Sequence, residues 1–252
     1  MWRAATSFFG GLWAWLVLAL GAVAIAPCII AIGLWHCVFP ARLCRFTRIF
    51  NWSFGRVTLA LLAPAIPVRL ANRDVAVREP GSIIVCNHQS ALDSYLLAAQ
   101  NQKDLCLVAK HWPFKLFFFA PAMRHAGFVD AEGSPPEEVE RLCCERLKQG
   151  ATLVMFPEGR RSRTGELGRF HSGVFRIAIA SCRPVLPLVI RDSFRAFPPG
   201  AKWFRLGAIH MDFLEPVRPE DFAHEALPHR AMMRHVRQLY VECLKNPVRR
   251  EL

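Results

Sequence analysis

Two short polar segments each follow an apolar, strand-like run and carry residue types suited to acid–base chemistry. The first, Asn87–Asp93 (NHQSALD), comes directly after Ile83–Val85 and places the imidazole of His88 five residues before the carboxylate of Asp93. In open α/β sheets, ligands collect at the carboxyl ends of strands. A carboxylate that accepts a proton from one ring nitrogen fixes the tautomer of an imidazole and raises the basicity of the other nitrogen. The spacing therefore predicts His88 as a general base that Asp93 orients.

A second interpretation of the same spacing is purely structural. His-x-x-x-x-Asp arises by chance in many chains, and Asp93 would then cap a helix beside a hydrogen-bonded histidine. The position of His88 directly after a strand favours the functional interpretation. In this interpretation Ser90 caps the next helix, and Asp93, in the first turn of that helix, reaches back to the ring of His88.

The second segment, Phe156–Ser162 (FPEGRRS), has the composition of an anion-binding turn. Gly159 allows the backbone to approach a ligand closely, and Arg160 and Arg161 offer planar forks of donors that match a phosphate. We expect Glu158 to hold these arginines in place. The alternative is a strand-to-helix turn whose arginines are simply solvated.

Covalent catalysis by a serine has no sequence support, because no G-x-S-x-G elbow is present. A phosphate-binding loop of the nucleotide-binding type is also missing from the sequence. Direct attack by a substrate hydroxyl, deprotonated by His88, is the simplest mechanism, and a thioester fits as the activated electrophile. The nine cysteines are odd in number and follow no ligand spacing. They are interpreted as reduced, small apolar residues, so we expect no metal and no cofactor.

The N-terminus has the composition of a membrane anchor. The chain has 252 residues, 53% of them hydrophobic, and no formal charge lies between Arg3 and Arg42. A bilayer-spanning helix needs about 20 such residues. A cleaved signal is disfavoured because the small-residue site Ala24–Ala26 precedes Pro27. A single tilted span and a re-entrant hairpin bent near Pro27 both fit this stretch.

Charge predicts the side of the membrane and the type of surface. Basic residues are concentrated after the anchor, with only Arg3 before it; those that follow are Arg42, Arg45, Arg48 and Arg56. Positive flanks stay inside, so we expect the body of the protein on the cytoplasmic face of the inner or cytoplasmic membrane. A net charge of +12 suits anionic membrane lipids. Nucleic acid is disfavoured as a partner because the basic residues are dispersed among apolar runs.

The rest of the chain alternates strands and helices. We place the anchor and an interfacial segment at residues 1–70 and the catalytic domain at 71–252. The fold class is α/β, with a mostly parallel sheet flanked by helices and an N-terminal apolar helix or helical hairpin. The predicted strands are Ser82–Cys86, Leu105–Ala109, Gly127–Asp130, Thr152–Phe156, Pro184–Ile190 and Leu206–Phe213. The predicted helices are Ala91–Ala99, Pro136–Lys148 with Ser134 as its cap, Gly173–Ser181 and His229–Lys245.

These motifs resemble the sequence blocks of a known family. NHQSALD is similar to the first block, N-H-x-x-x-x-D, of the glycerolipid acyltransferases, the PlsC-type lysophosphatidic acid acyltransferases and their relatives. FPEGRRS is similar to the third block, F-P-E-G-T-R-S, and Val185–Ile190 resembles the fourth, a proline within an apolar strand. The resemblance covers about residues 71–217.

The resemblance implies a membrane-bound O-acyltransferase of phospholipid biosynthesis. Such enzymes move a fatty acyl group from acyl-CoA or acyl carrier protein to the hydroxyl of a lysophospholipid such as 1-acyl-glycerol-3-phosphate. Carried over by position, His88 is the base and Asp93 orients it. Glu158, Gly159 and Arg161 then belong to the turn that binds the acceptor, and Arg160 is assigned to it as well.

Three departures from the family pattern leave the acceptor open. Arg160 stands where the third block has threonine, Ala131 where the second block ends in arginine, and His171 where relatives often carry lysine. One alternative is a different acceptor, a lyso-ornithine lipid or a specialised polyketide-like lipid. Another is a catalytically idle lipid-binding protein. His111, His125 and His171 are assigned no catalytic role.

Overall fold

A seven-stranded sheet forms the centre of the part of the chain that the structure, a computed structural model, describes: residues 2–38, 43–116 and 120–246. The strand order is β1-β7-β6-β2-β5-β3-β4. All neighbours are parallel except β6 and β7, which are antiparallel. The strands are β1 Val68–Ala71, β2 Ile83–Cys86, β3 Leu105–Ala109, β4 Val129–Asp130, β5 Thr152–Met155, β6 Val185–Arg191 and β7 Ile209–Phe213. The predicted fold class is confirmed.

Helices cover both faces of this sheet. They are α1 Trp2–Val38, α2 Leu43–Leu62, α3 Arg73–Arg78, α4 Asp93–Leu96, α5 Ala120–His125, α6 Pro136–Lys148, α7 Gly173–Ser181, α8 Ser193–Ala196 and α9 Pro228–Lys245. Residues of β2 point alternately to the two faces, with Ile84 and Cys86 towards α1, α2 and α4, and Ile83 and Val85 towards α6, α7 and α9. Because both faces are buried, the central strands are continuous apolar runs.

Two predicted helix caps are wrong. The N-cap of α6 is Pro135, with no side-chain hydrogen bond, so Ser134 does not cap this helix. The N-cap of α4 is Leu92, again without a side-chain bond. The hydroxyl of Ser90 instead donates to the carbonyl of Phe197 at 2.7 Å, which ties the start of this segment to a distant loop.

The N-terminal helices α1 and α2 pack against each other in opposite directions. Helix α1 passes through Pro27 without ending, so the predicted bend at this proline is wrong. The indole nitrogen of Trp13 donates to the carbonyl of Leu61 at 2.8 Å, and Phe54 lies against Gly21. Within α1, the 24 residues 8–31 are long and apolar enough to cross a membrane, and only 11% of their most hydrophobic window is buried.

Helix α2 is attached to the sheet domain by a buried arginine. The side chain of Arg48 is 3% exposed, and it pairs with Asp104 at 2.5 Å and donates to the carbonyl of Ala126. Arg56 donates to main-chain carbonyls of the domain. These two arginines therefore contact protein groups. Arg45 is exposed but also pairs with Asp104, at 3.5 Å, and Arg42 lies outside the described residues.

The interfacial segment expected before residue 70 contains helix α2, and its location at the membrane surface stays a prediction. Helix α2 continues to Leu62, and its residues Leu59 and Leu62 are buried in the core. Pro64 and Pro67 then separate the helix from β1, which pairs with β7. The proposed domain boundary at residue 70 stays a prediction.

Candidate active site

The carboxyl ends of β2 and β5 bring the two predicted segments together. His88 lies two residues beyond β2, and Glu158 lies three residues beyond β5, the strand next to it in the sheet. The side-chain amide of Asn87 donates to the carbonyl of Ile190 at 2.8 Å and accepts from its N–H at 2.7 Å. This pair of bonds fastens the end of β2 to β6, so the residue that follows Asn87 has a fixed backbone.

His88 and Asp93 form the predicted imidazole–carboxylate pair. Nδ1 of His88 lies 2.9 Å from Oδ2 of Asp93, and the same oxygen accepts from the N–H groups of Gln89 at 2.7 Å and Ser90 at 2.8 Å. The carboxylate is fully buried, whereas the ring is 19% exposed. With Nδ1 donating to Asp93, Nε2 carries the lone pair, and it has no hydrogen-bond partner in the described part of the chain.

An aromatic ring restricts the rotation of this imidazole. Phe156, the residue after β5, stacks on His88 with a centroid distance of 4.1 Å and an interplanar angle of 24°. Together, the stack and the bond to Asp93 fix the plane and the direction of the ring. Such pre-organisation means that little reordering is needed when a substrate arrives.

Glu158 joins the two segments rather than holding the arginines. Its Oε1 accepts from the N–H of His88 at 2.9 Å, and Oε2 accepts from the N–H of Gly168 at 2.8 Å. Burial raises the pKa of its carboxyl above the ordinary value, and the two N–H donors offset this only in part. A Cβ at position 168 would lie 2.5 Å from Oε2, so only glycine fits there.

The arginine turn, residues 159–162, is hydrogen-bonded to the backbone of His88. The N–H of Ser162 donates to the carbonyl of His88 at 2.7 Å. Gly159 has φ +65°, and an added Cβ would lie 3.5 Å from the ring of His171. Arg160 and Arg161 are exposed and form no hydrogen bond or ion pair with the residues that the structure describes. Their guanidinium groups are available for an external anion.

A second imidazole–carboxylate pair lies at the same edge of the sheet and was missed from the sequence. Nδ1 of His111, two residues beyond β3, lies 2.5 Å from Oδ2 of Asp130 on β4. Partial burial tends to raise the pKa of Asp130, but the hydrogen bonds from His111, Glu132 and Gly133 lower it below its ordinary value. A histidine just after a predicted strand, as with His88, was the available signal.

No cluster of three or more metal-ligating side chains occurs among the described residues. In the aromatic stretch 112–123, Phe114 is buried and Trp112 is 57% exposed. Residues 117–119 lie outside the described part of the chain.

The fold and this site define an α/β protein with a histidine–carboxylate pair beside an arginine-rich turn. The sequence profile of the Acyltransferase family matches residues 66–191, half of the chain. The chain belongs to this family and is an O-acyltransferase, as the motifs predicted.

Similar proteins bear related names. A 1-acyl-sn-glycerol-3-phosphate acyltransferase of Cocos nucifera is 24% identical over 91% of this chain and 77% of its own length. A chloroplastic enzyme of the same name from Arabidopsis thaliana is 34% identical over 48% of this chain. The matching part is 35% of the Arabidopsis protein. A Helicobacter pylori enzyme of this name is 32% identical over 46% of this chain and half of its own length.

A solved structure shares the fold. The crystal structure of the 1-acyl-sn-glycerophosphate acyltransferase PlsC from Thermotoga maritima superposes with a TM-score of 0.75 at 21% identity. The match covers 98% of this chain and 100% of that chain, so it includes the N-terminal helices as well as the sheet.

Proposed function

We propose that this acyltransferase moves a fatty acyl group from an acyl thioester to the free hydroxyl of 1-acyl-glycerol-3-phosphate at a membrane surface. The single observation that carries the proposal is the bond from Nδ1 of His88 to the buried Asp93, beside a turn whose two arginines have no ion-pair partner among the described residues. A base and an anion clamp on one edge suit an acceptor with both a hydroxyl and a phosphate. The names of the relatives above support the same acceptor.

In the proposed mechanism, Nε2 of His88 takes the proton of the acceptor hydroxyl while the hydroxyl oxygen attacks the carbonyl carbon of the thioester. Asp93 stabilises the imidazolium that forms, because its Oδ2 accepts the proton on Nδ1. The tetrahedral intermediate collapses, the C–S bond breaks, and the imidazolium returns the proton to the leaving thiolate. The products are a diacyl phospholipid and a free thiol, and no covalent enzyme intermediate is formed.

Arg160 and Arg161 would hold the phosphate of the acceptor through paired N–H donors. Helix α1 would keep the protein in the membrane, with the site on the cytoplasmic side, where a lipid acceptor and a soluble thioester meet. Coenzyme A and acyl carrier protein present the same thioester, so both are donors to be tested.

The experiment uses the full chain in detergent or in membranes. Purified protein is incubated with 1-acyl-glycerol-3-phosphate and either acyl-CoA or acyl carrier protein, and the lipid product is identified by mass spectrometry. The His88→Ala variant provides the background. The proposal predicts phosphatidic acid with at least one donor; its absence with both donors contradicts the proposal.

A different acceptor is the competing outcome, and Ala131, in place of the family's arginine, motivates it. The same assay therefore includes lyso-ornithine lipid and 1-monoacylglycerol, which lacks the phosphate. Arg161→Ala should raise the KM for 1-acyl-glycerol-3-phosphate about tenfold, because a hydrogen bond to a charged group is lost. Its exposed neighbour Arg163 provides the matched control, Arg163→Ala. Acylation of lyso-ornithine lipid alone would replace the proposed acceptor.

A further inference from the structure

The pair of His111 and Asp130 is built with more support than an incidental surface contact. Oδ1 of Asp130 accepts from the N–H groups of Glu132 at 3.0 Å and Gly133 at 2.9 Å, and Oδ2 faces Nδ1 of His111. Glu132 accepts from the N–H of His111 at 3.2 Å and pairs with Lys110 at 3.2 Å. These contacts fix an imidazole whose side chain is still 42% exposed.

The strand register brings His111 to the end of the strand next to the one that carries the arginine turn. Leu107 pairs with Val154, so continuing the register brings His111 level with Glu158. Val85 pairs with Met155, so His88 is level with the same residue from the other side of β5. The ends of β2 and β3, the strands that precede the two histidines, lie two strand spacings of about 5 Å apart, about 10 Å in all.

Both rings also lie on the same face of the sheet. Side chains alternate along a strand, so His88 continues the series of Ile84 and Cys86, and His111 continues that of Leu107. All three of these apolar residues belong to the core on the α1, α2 and α4 face. The arginine turn follows β5, and this strand lies between β2, which precedes His88, and β3, which precedes His111.

The second pair leaves one ring nitrogen, Nε2 of His111, for a ligand. The carboxylates of Asp130 and Glu132 are occupied by the contacts given above, whereas Nε2 of His111 has no hydrogen-bond partner among the described residues. An anion bound at Nε2 favours the doubly protonated ring, in which Nδ1 donates to Asp130 and Nε2 donates to the anion. An exposed ion pair adds little to stability, so stability alone gives little reason for so fixed a geometry.

We propose that His111, oriented by Asp130, is a further acceptor-binding residue that donates from Nε2 to a phosphate oxygen of the lysolipid, on the side of the arginine turn away from His88. This inference rests on the proposed function. It assigns His111 the place of the arginine that Ala131 replaces at the end of the second block. The acceptor would then bridge the edge, with its hydroxyl at His88 and its phosphate between Arg161 and His111.

The test compares KM values in the full-length enzyme. His111→Asn keeps an amide near the position of Nδ1, and hence the contact to Asp130, but removes Nε2. It should raise the KM for 1-acyl-glycerol-3-phosphate about tenfold, with kcat, the KM for the donor and the thermal midpoint nearly unchanged. His111→Lys should bring the acceptor KM back to within about threefold of wild type, since it restores a cation. His224→Asn, at an exposed histidine elsewhere, is the control.

Two results would overturn the inference. One is an unchanged acceptor KM in folded His111→Asn. The other is an equal rise in the KM values for acceptor and donor that His111→Lys does not reverse. A purely structural role of His111 would produce this second result. Should His111→Asn unfold, Asp130→Asn, which frees the ring without removing it, is measured with the same expectation. A wild-type enzyme that makes no phosphatidic acid refutes the proposed function instead, and removes the phosphate that His111 is assigned to bind.

Discussion

At the scale of single residues, the orientation of His88 depends on one carboxylate oxygen. Oδ2 of Asp93 accepts three hydrogen bonds, two of them from the backbone of Gln89 and Ser90, so the carboxylate also fixes the loop that carries the histidine. The purely structural interpretation, in which Asp93 caps a helix, is wrong, because α4 has no side-chain cap and the two N–H groups precede this helix. Asp93 supports a turn and fixes the ring of His88.

Asp93→Asn separates these two roles. An amide oxygen can still accept from the backbone, but its NH2 group favours the wrong tautomer of His88. We expect kcat to fall by about 10²- to 10⁴-fold with the KM for the acceptor within about twofold of wild type. Steady-state kinetics with varied acceptor measure both values. Loss of acceptor binding with an unchanged kcat would show that Asp93 has only a structural role.

Glu158 gives a pH-dependent prediction. Its pKa is raised above the ordinary value of 4.5 by burial, so the stability it contributes is complete below 4.5 and is lost as the pH rises through the raised pKa. The uncharged variant Glu158→Gln lacks this dependence. We expect the thermal midpoint of wild type relative to Glu158→Gln to increase as the pH is lowered from 7 towards 4.5. A difference that is constant, or that shrinks, over this range contradicts the assignment.

The types of the site residues were predictable and their contacts were not. His88, Asp93 and the arginine turn stand out because each follows an apolar strand. Glu158 was expected to hold the arginines, since they are neighbours in sequence, but the register of β2 and β5 brings the N–H of His88 closer to it. The pair of His111 and Asp130 needs β4 beside β3, which no local pattern shows.

At the scale of elements, Tyr240 on α9 enters the hydrogen-bond ladder of the sheet. Its hydroxyl accepts from the N–H of Leu188 on β6 and donates to the carbonyl of Val85 on β2, three residues before His88. The phenol is fully buried. The tyrosine therefore links the helix to the two strands whose ends carry the site.

Tyr240→Phe should lower the free energy of unfolding by about 1–3 kcal/mol, because two buried backbone groups lose their partner. Tyr95→Phe is the matched control, since the hydroxyl of Tyr95 has no hydrogen bond among the described residues; its effect should stay within about 0.5 kcal/mol. Denaturant unfolding in detergent measures both values. Equal effects of the two substitutions would show that the bridge contributes nothing.

The strands and helices of the sheet domain followed from the sequence better than the segment before it. Leu105–Ala109, Pro136–Lys148 and Gly173–Ser181 match the structure at both ends, because apolar runs and turn residues bound them clearly. Helix α2 was missed because it is rich in apolar residues and is followed closely by Pro64 and Pro67. Its helical spacing serves packing against α1 and the domain, a tertiary effect that the local pattern obscures.

At the scale of the whole molecule, α1 combines packing with exposure. Ala14 and Val17 are buried in the core, whereas Leu20 and Val23 are 59% and 72% exposed within the apolar stretch. Water is a poor solvent for such an apolar surface. An enzyme that acts at a membrane, as proposed above, would bury this surface in the bilayer. The sheet order, in which β7 lies between β1 and β6, depends on contacts distant in sequence and was not predictable.

Charges placed on this surface should weaken the anchor. Each lysine near the centre of a membrane helix costs about 2.5–3.5 kcal/mol, so the double variant Leu20→Lys and Val23→Lys should move from the membrane pellet to the supernatant on alkaline carbonate extraction. Val77→Lys, at an exposed valine of α3, should remain in the pellet. An unchanged distribution of the double variant would contradict a membrane role for α1.

We propose that His88 removes the proton of the acceptor hydroxyl. The single-turnover rate of His88→Ala, with saturating 1-acyl-glycerol-3-phosphate and acyl donor, tests this role. We expect this rate to fall at least about 100-fold relative to wild type, because a positioned base contributes that much. Binding of the acceptor should be retained. His224→Ala, measured in parallel, should keep the wild-type rate. A folded His88→Ala enzyme that transfers the acyl group at the wild-type rate would contradict the account.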